Sequence, residues 1–309
     1  MPTLTSISRS AILHAAESAT LQRLVQSHGM RVGAARFVAG ETLDECIAVL
    51  RKLNDEGLYA NTTLLGEAVP SAEGAAAITA EYEVIIDRLV AEGLRANVAL
   101  KLTHLGLSFD EEVAYSNVEG LVARAGRLGT FVRIDMEQSQ LVDATLRVYE
   151  RLRGAGHDNV GTVLQSYLRR TATDLERLLS LSPNLRIVKG AYLEPPDIAY
   201  PDKADVDRAY LELVERCLKE DAYVAAATHD EAIVRHVQAF AEREGIGRDR
   251  FEFQMLYGVR PALQRSLAAE RYKVLVATPY GPDWYPYLMR RLAERPANVG
   301  FFLRNLVRR

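Results

Sequence analysis

The sequence predicts an α/β protein, a distorted (β/α)8 barrel of the TIM type with extra helices at its N-terminus. Eight short apolar runs alternate with longer segments of helical period. Successive runs begin 21 to 38 residues apart, enough for one strand, one helix and two loops. Several runs are apolar throughout, as parallel strands covered on both faces are. Eight such units favour a closed barrel, although strand count alone leaves a doubly wound open sheet possible. The runs span residues 60–65, 98–102, 131–134, 161–164, 185–188, 223–227, 251–256 and 272–276.

Composition and charge exclude several classes of protein. Hydrophobic residues make up 48% and charged residues 26% of the 309, which is typical of a folded globular chain rather than a disordered one. A net charge of −3 argues against a nucleic-acid partner, since such proteins carry a clustered basic excess. Cys46 and Cys217 lie far apart, so neither a disulfide framework nor a zinc site is expected, and a cytoplasmic location fits. No run reaches the roughly 20 apolar residues of a membrane-spanning helix.

The first 58 residues read as helical. Apolar residues within 12–19 repeat at helical spacing, and a second helix begins at Thr42. Glu45 follows Thr42 by three residues, which is the spacing of a capping box. In this motif the side chain of each residue accepts a hydrogen bond from the backbone N–H of the other. We therefore expect a helical segment, residues 1–58, that packs on a barrel domain of residues 59–309.

Polar side chains follow or end the first six runs. The carboxyl ends of parallel strands meet at one mouth of a barrel, and catalytic groups of such enzymes come from those ends. Charged residues also follow strands simply because loops are exposed to solvent, so a single example is weak evidence for a site. Six in succession predict a site for an anion and a cofactor. They are Glu67, Lys101, Asp135, Gln165, Lys189 and His229.

The segment after the last run contains a predicted turn at 279–282 and then a helix with two faces. Tyr285, Leu288, Met289 and Leu292 have the spacing of a core-facing stripe. The second face is either a solvated surface or a clamp for an anion, because adjacent guanidinium groups with a nearby phenol suit a carboxylate. Spacing alone leaves both interpretations open. The second face consists of Tyr287, Arg290, Arg291 and Glu294.

Familiar catalytic motifs are absent from the sequence. It contains no G-x-G-x-x-G after a strand, no P-loop, no G-x-S-x-G elbow and no H-E-x-x-H, so the residues by themselves name no cofactor and predict no metal. A Schiff-base lyase that uses Lys101 or Lys189 as its nucleophile remains open on these grounds. So does a barrel that binds a ligand without turnover.

Nine segments, in order along the chain, resemble the proline dehydrogenase family, in particular its short monofunctional bacterial members. Each match is weak by itself, but the ordered set extends from residue 36 almost to the end of the chain. The segments are RFVAGET (36–42), LGEA (65–68), LKL (100–102), RIDME (133–137), VLQSY (163–167), RIVKGAY (186–192), ATHD (227–230), QMLYG (254–258) and YLMRR (287–291).

The resemblance implies a distorted barrel with non-covalent FAD at its carboxyl-end mouth, and it implies roles for particular residues. The catalytic positions are Asp135 and Arg186, the latter expected near N5 of the flavin. The substrate-binding positions are Lys101, Leu256, Tyr287, Arg290 and Arg291. The flavin-binding positions are Leu102, Gln165, Lys189, Gly190, Ala191, Thr228 and His229. Glu67 matches a gate residue that pairs with Arg291 and closes the site.

The resemblance also implies an activity and partners. The expected reaction is oxidation of L-proline to 1-pyrroline-5-carboxylate, the first step of proline degradation to glutamate. Electrons would pass to a quinone, which implies a transient contact with the inner membrane surface. A separate pyrroline-5-carboxylate dehydrogenase would complete the conversion.

One position departs from the family pattern. Ten residues before Tyr287, where proline-using members carry a tyrosine beside the substrate ring, this chain has Ala277. Tyr280 or Tyr272 could fill the space. Otherwise the pocket has room beside C4 of the ring, so 4-hydroxyproline is an alternative substrate, with proline as the leading one.

Overall fold

The computed structural model describes residues 34–66 and 68–294, with side chains described as far as residue 289. Eight parallel strands form its centre. They are β1 (Tyr59–Leu64), β2 (Ala96–Leu100), β3 (Val132–Ile134), β4 (Val160–Gln165), β5 (Asn184–Val188), β6 (Tyr223–Ala227), β7 (Phe251–Leu256) and β8 (Val274–Tyr280). The strands pair in chain order and β8 pairs back to β1, which closes the barrel. The predicted barrel is confirmed, and the open sheet is excluded.

Helices surround this barrel and pack their apolar faces on it. A 3-10 helix (Ala34–Arg36) and α1 precede β1, and one helix follows each strand in the described part of the chain. The helices are α1 (Leu43–Asp55), α2 (Ala72–Ala91), α3 (Glu111–Arg127), α4 (Val142–Gly154), α5 (Thr171–Leu179), α6 (Lys203–Lys219), α7 (Glu231–Arg243), α8 (Pro261–Ala269) and α9 (Trp284–Glu294). Among the described residues, no helix combines the length and apolar character needed to cross a membrane.

The capping box at the start of α1 is present as predicted. The Thr42 hydroxyl accepts from the Glu45 backbone N–H at 3.3 Å, and the Glu45 carboxylate accepts from the Thr42 N–H at 3.2 Å. The helix buries Ile47 and Leu50 in the core that it shares with the barrel strands. Residues 12–19, where the earlier helix is predicted, lie outside the described residues.

Two predicted strands, the second and the eighth, differ from the observed strands by two residues or more at both ends, and the other six agree to within one residue. β2 ends at Leu100, because Leu102 begins a 3-10 helix that closes at Gly106 with φ of 117°. β8 starts later and runs further than predicted, and it includes Pro279 and Tyr280, the first two residues of the predicted turn. Its end is set by pairing with β1, in which Tyr280 lies opposite Leu64. Pro279 is tolerated there because β7 no longer pairs with β8 beyond Ala277.

The interior of the barrel is polar, whereas such barrels usually fill it with Val, Ile and Leu. Alternate residues of a strand face the same side, and alternate strands contribute to one layer. The odd-numbered strands therefore build two layers of interacting polar side chains. The lower layer, nearer the amino ends of the strands, contains Arg133, Asn184 and Glu252. The upper layer contains Asn61, Arg186 and Gln254, with Asp135 just beyond the end of β3.

Candidate active site

A cavity of about 680 Å³ opens above the upper layer, at the carboxyl ends of the strands. Its volume is typical of a site for a small molecule or cofactor. Its lining includes Phe37, which comes from the segment before the barrel, and Ala277 of β8. The predicted site residues found in the lining are Lys101, Asp135, Gln165, Arg186, Lys189, Gly190, Ala191, Thr228, His229 and Leu256.

A second cavity, of about 470 Å³, lies at the opposite mouth, near the amino ends of the strands. Tyr59, Arg95 and Lys273 are among its lining residues, and none of the predicted site residues belongs to it. Catalytic groups of barrels of this kind lie at the carboxyl ends. The larger cavity is therefore the candidate active site.

Arg186 occupies the centre of the barrel beneath the cavity. Its Nη1 donates to Asp135 at 2.6 Å, its Nε to Gln254 at 2.5 Å and its Nη2 to the Asn61 side chain at 3.1 Å. These acceptors come from β1, β7 and the end of β3, so the guanidinium bridges the lumen. Three charge-assisted or polar contacts in fixed directions leave it little rotational freedom. The position presents a permanent positive charge at the floor of the cavity.

Gln165 is anchored on the next strand over. Its Nε2 donates to the carbonyl of Glu137 at 2.8 Å, while its own backbone carbonyl accepts from the Thr171 hydroxyl at 2.6 Å. The Glu137 carboxylate accepts from the Thr103 hydroxyl at 2.8 Å. Burial raises the pKa of Glu137, an effect that the Thr103 hydrogen bond and the charge of Lys101 oppose. Glu137 thus supports two parts of the cavity wall. It binds Gln165 at the end of β4 and Thr103, which lies two residues after Lys101.

The rim beyond β5 contains a cluster of paired lysines and aspartates and a glycine. Lys189 Nζ lies 2.5 Å from Asp207, which also pairs with Lys203. Burial opposes ionisation of Asp207, but the two lysines lower its pKa. Gly190 adopts φ of 118°, and a side chain there would overlap the Tyr167 ring. The absence of a side chain therefore lets the Gly190 backbone, which lines the cavity, lie directly against the Tyr167 ring, in a conformation that favours glycine.

His229 is fixed in one tautomer. Its Nε2 accepts from the Leu256 backbone N–H at 2.8 Å, so the neutral ring carries its proton on Nδ1. The neighbouring Thr228 hydroxyl accepts from the Asp230 N–H at 3.1 Å. The first contact joins the end of β6 to the end of β7 on one side of the cavity, and the second fixes the turn that follows β6.

The space beside Ala277 is not filled by either tyrosine considered for it. Tyr280 is fully buried outside the barrel, near Tyr82 of α2. Tyr272 packs against Phe251 and Phe253 at the other end of the barrel. The alternation of strand residues explains the first result, because Tyr280 lies three positions from Ala277 and points to the opposite face.

Other predicted site residues lie elsewhere or outside the described part of the chain. Leu102 is fully buried in the core and is not part of the cavity lining. Tyr287 is half-buried against the cluster of Phe37 and Trp284. Glu67 and the side chains of Arg290 and Arg291 lie outside the described residues, so their roles stay predictions.

Three residues that hold Arg186 or its support were not identified from the sequence. Asn61 and Gln254 bind Arg186 directly, and Glu252 binds Gln254. A signal was present, since Glu252 and Gln254 are polar residues two apart in an otherwise apolar strand and so share its inner face. The sequence did not identify Arg186 as the partner of Gln254, because the two residues lie 68 positions apart.

The fold and this site define a class of protein, a (β/α)8-barrel enzyme with a cationic cavity at the carboxyl ends of its strands. The sequence profile of the family described as "Proline dehydrogenase" matches residues 46–304. This chain belongs to the proline dehydrogenase family, whose members are oxidoreductases.

Full-length relatives support that membership. The chain is 42% identical over 304 residues to "Proline dehydrogenase" of Deinococcus radiodurans, covering 97% of this chain and 98% of the relative. It is 39% identical over 303 residues to "Proline dehydrogenase 2" of Bacillus subtilis, covering 98% and 100%. "Bifunctional protein PutA" of Escherichia coli is 27% identical, and the match covers only 24% of that longer protein.

A solved structure confirms the architecture. Proline utilization A from Bdellovibrio bacteriovorus, inactivated by N-propargylglycine, superposes with a TM-score of 0.78 over 84% of this chain and 32% of that one. At 24% identity the likeness concerns the fold alone.

Proposed function

We propose that this chain is an FAD-dependent proline dehydrogenase that oxidises L-proline to 1-pyrroline-5-carboxylate. The observation that carries the proposal is Arg186, a permanent cation held by three side chains at the floor of the cavity. Stabilisation of charge by a preorganised group in a closed site is a major source of catalysis. The names of the full-length relatives support proline as the substrate.

The residues of the cavity fit a flavin. Its volume is about 680 Å³, and its lining offers an amide at Gln165 and a cation at Lys189. The main chain at Gly190, which packs against Tyr167 and lines the cavity, adds a backbone surface against which a planar ring or a phosphate would lie. We assign FAD binding to Gln165, Lys189, Gly190, Ala191, Thr228 and His229, with Leu102 as a buried support.

Bound FAD would supply an acceptor for the hydride from C5 of proline. The chain's own residues orient the substrate and compensate charge. The Lys101 ammonium lies in the cavity lining and forms no hydrogen bond or ion pair with the side chain of any described residue, so it suits the proline carboxylate. Arg290 and Arg291 complete this clamp by analogy with the family. Asp135 holds Arg186 in place, and Leu256 and Tyr287 pack on the ring.

The substrate nitrogen must first lose its ammonium proton to the solvent, so that its lone pair can form the new C=N bond as the hydride leaves. We assign a quinone as the electron acceptor, and access to it would bring this protein into transient contact with the cytoplasmic face of the inner membrane. Glu67, paired with Arg291, would close the site during the reaction. A separate pyrroline-5-carboxylate dehydrogenase would convert the product to glutamate.

The visible spectrum of the purified protein tests the proposal. We expect a flavin spectrum that anaerobic L-proline bleaches, because hydride transfer reduces the flavin. A colourless protein that FAD does not reconstitute, or a flavin that proline leaves oxidised, would contradict it. Inactivation by borohydride with a carbonyl substrate would instead indicate a Schiff-base lyase, for which Lys189 would first have to leave Asp207.

A second substrate is favoured by the space at Ala277. Ala277 lines the cavity and neither Tyr272 nor Tyr280 does, which supports a pocket that would accept a hydroxyl group on C4 of the ring. Ala277→Tyr is expected to lower kcat/KM for trans-4-hydroxy-L-proline about tenfold or more relative to L-proline, since the phenol would occupy that room. Ala277→Ser serves as the small control. An unchanged ratio of the two substrates in Ala277→Tyr would show that C4 points elsewhere.

A further inference from the structure

Beneath the upper layer, a buried carboxylate continues the network of Arg186 toward the other end of the barrel. Glu252 is 3% exposed and lies two residues before Gln254 on β7. It accepts from the Gln254 side-chain amide, from the Tyr223 hydroxyl at 2.9 Å and from Lys273 Nζ at 2.8 Å. One line of contacts thus joins Lys273, outside the cavity, to Arg186 at its floor.

The charged form of Glu252 is maintained despite its burial. Burial favours the neutral acid, but the positive charge and hydrogen bond of Lys273 and the hydrogen bond from Gln254 outweigh it, so the pKa of Glu252 is lowered. The nearby Arg133 adds to this effect, and burial lowers the pKa of Arg133 itself to about 10. An ionised carboxylate can accept hydrogen bonds but cannot donate them.

This property determines which way the Gln254 amide points. Arg186 Nε can only donate, and Glu252 can only accept. Gln254 stands between them, so its oxygen must face Arg186 and its NH2 group must face Glu252. The opposite orientation would set two donors together at Arg186 and two acceptors together at Glu252. The observed contacts have the satisfied orientation.

We propose that Glu252 is a positioning residue for Arg186. It lies below Gln254 in the barrel interior, and it fixes the direction of the Gln254 amide that binds Arg186. The inference deepens the proposed function and rests on it, because it concerns the charge that would face the bound flavin. Glu252 touches neither the cavity nor its contents, since the cavity lining includes Gln254 but not Glu252.

Glu252→Gln tests the inference with little change in shape. A glutamine has one acceptor oxygen for the three donors that meet position 252, so its NH2 group must face one of them. The Gln254 amide then loses its fixed direction. We expect kcat to fall about tenfold with KM changed less than about threefold, because the contact serves the reaction rather than binding. The reduced flavin should become about tenfold less favourable, a potential about 30 mV lower.

Tyr223→Phe is the matched control, because it removes one donor to Glu252 from the same buried cluster and leaves the line to Arg186 intact. It should leave the potential unchanged. The exchange variant Glu252→Gln with Gln254→Glu restores the pattern in reverse, since the carboxylate placed at position 254 would accept both from Arg186 and from the amide placed at position 252. It should restore the fixed direction of the contact with Arg186 Nε, seen as a sharp Nε–H signal in proton–nitrogen spectra, which a general loss of stability would not allow.

A readout without flavin separates this inference from the proposed function. The Arg186 Nε–H signal in proton–nitrogen spectra, identified with Arg186→Lys, should be present in the wild type and in Tyr223→Phe. It should broaden or vanish in Glu252→Gln. A wild type that binds no flavin, or whose flavin proline does not reduce, would overturn the function alone. An Arg186 signal and a potential equal in Glu252→Gln and Tyr223→Phe would overturn the positioning role.

Discussion

Replacing Arg186 with methionine is expected to lower the rate of flavin reduction by proline about 100- to 1000-fold. Methionine keeps much of the side-chain volume but removes the cation that Asp135, Gln254 and Asn61 hold beneath the cavity. Loss of a preorganised charge that faces the reacting centre has effects of this size. Stopped-flow reduction under anaerobic conditions measures the rate without interference from the electron acceptor.

Two further variants test whether the loss of rate is due to the charge and geometry of Arg186. Arg186→Lys keeps the charge but loses the fork that reaches three acceptors, so its rate should lie between those of the wild type and Arg186→Met. Arg235→Met is the control, because Arg235 is exposed and its only close acid is Glu231 at 3.6 Å among the described residues. A rate for Arg186→Met within threefold of the control would remove Arg186 from the catalytic machinery.

Replacing Gly258 with alanine is expected to destabilise the protein by about 3 kcal/mol. Gly258 follows β7 with φ of 73°, a left-handed conformation that costs a residue with a side chain about 1–2 kcal/mol. A methyl group there would also overlap the backbone oxygen of Arg36. Overlap with backbone cannot be relieved by a rotamer change, and overpacking adds about 1–3 kcal/mol. Unfolding by denaturant measures the loss.

Gly245→Ala separates the two contributions. Gly245 has φ of 67°, and a methyl group there would meet nothing within 4 Å, so only the backbone penalty applies. The segment that Gly258 contacts also carries Phe37 into the cavity lining. Gly258→Ala should therefore also weaken retention of the flavin, whereas Gly245→Ala should not. Equal losses of stability in the two variants would show that Arg36 is not seated against Gly258.

The order and type of the elements were determined by local properties of the sequence. Apolar runs of four to six residues predicted strands, and their spacing predicted the helices between them, because hydrophobic periodicity depends on neighbours along the chain. The capping box at Thr42 was visible for the same reason. The carboxyl ends of the strands located the mouth of the barrel, where Lys101, Asp135 and Lys189 line the cavity.

Tertiary structure alone decided the ends of strands and the contents of the barrel. β8 ends at Tyr280 because β1 offers a partner there, more than 200 positions away. Pairing over such a distance leaves no trace in local composition. The direction of Tyr280 was also decided by the tertiary structure. Tyr280 could fill the space at Ala277 only if its side chain faced the barrel interior, but the register of β8 makes it face outward.

At Arg186, too, the sequence identified the residue and the tertiary structure supplied its partners. The sequence identified this arginine through a resemblance, but its acceptors Asn61 and Gln254 lie 125 and 68 positions away. Closure of the barrel brings four strands to one axis, and only there do an arginine, an amide and a carboxylate become neighbours. Burial then requires each donor to find an acceptor, so the network is a consequence of the closed fold.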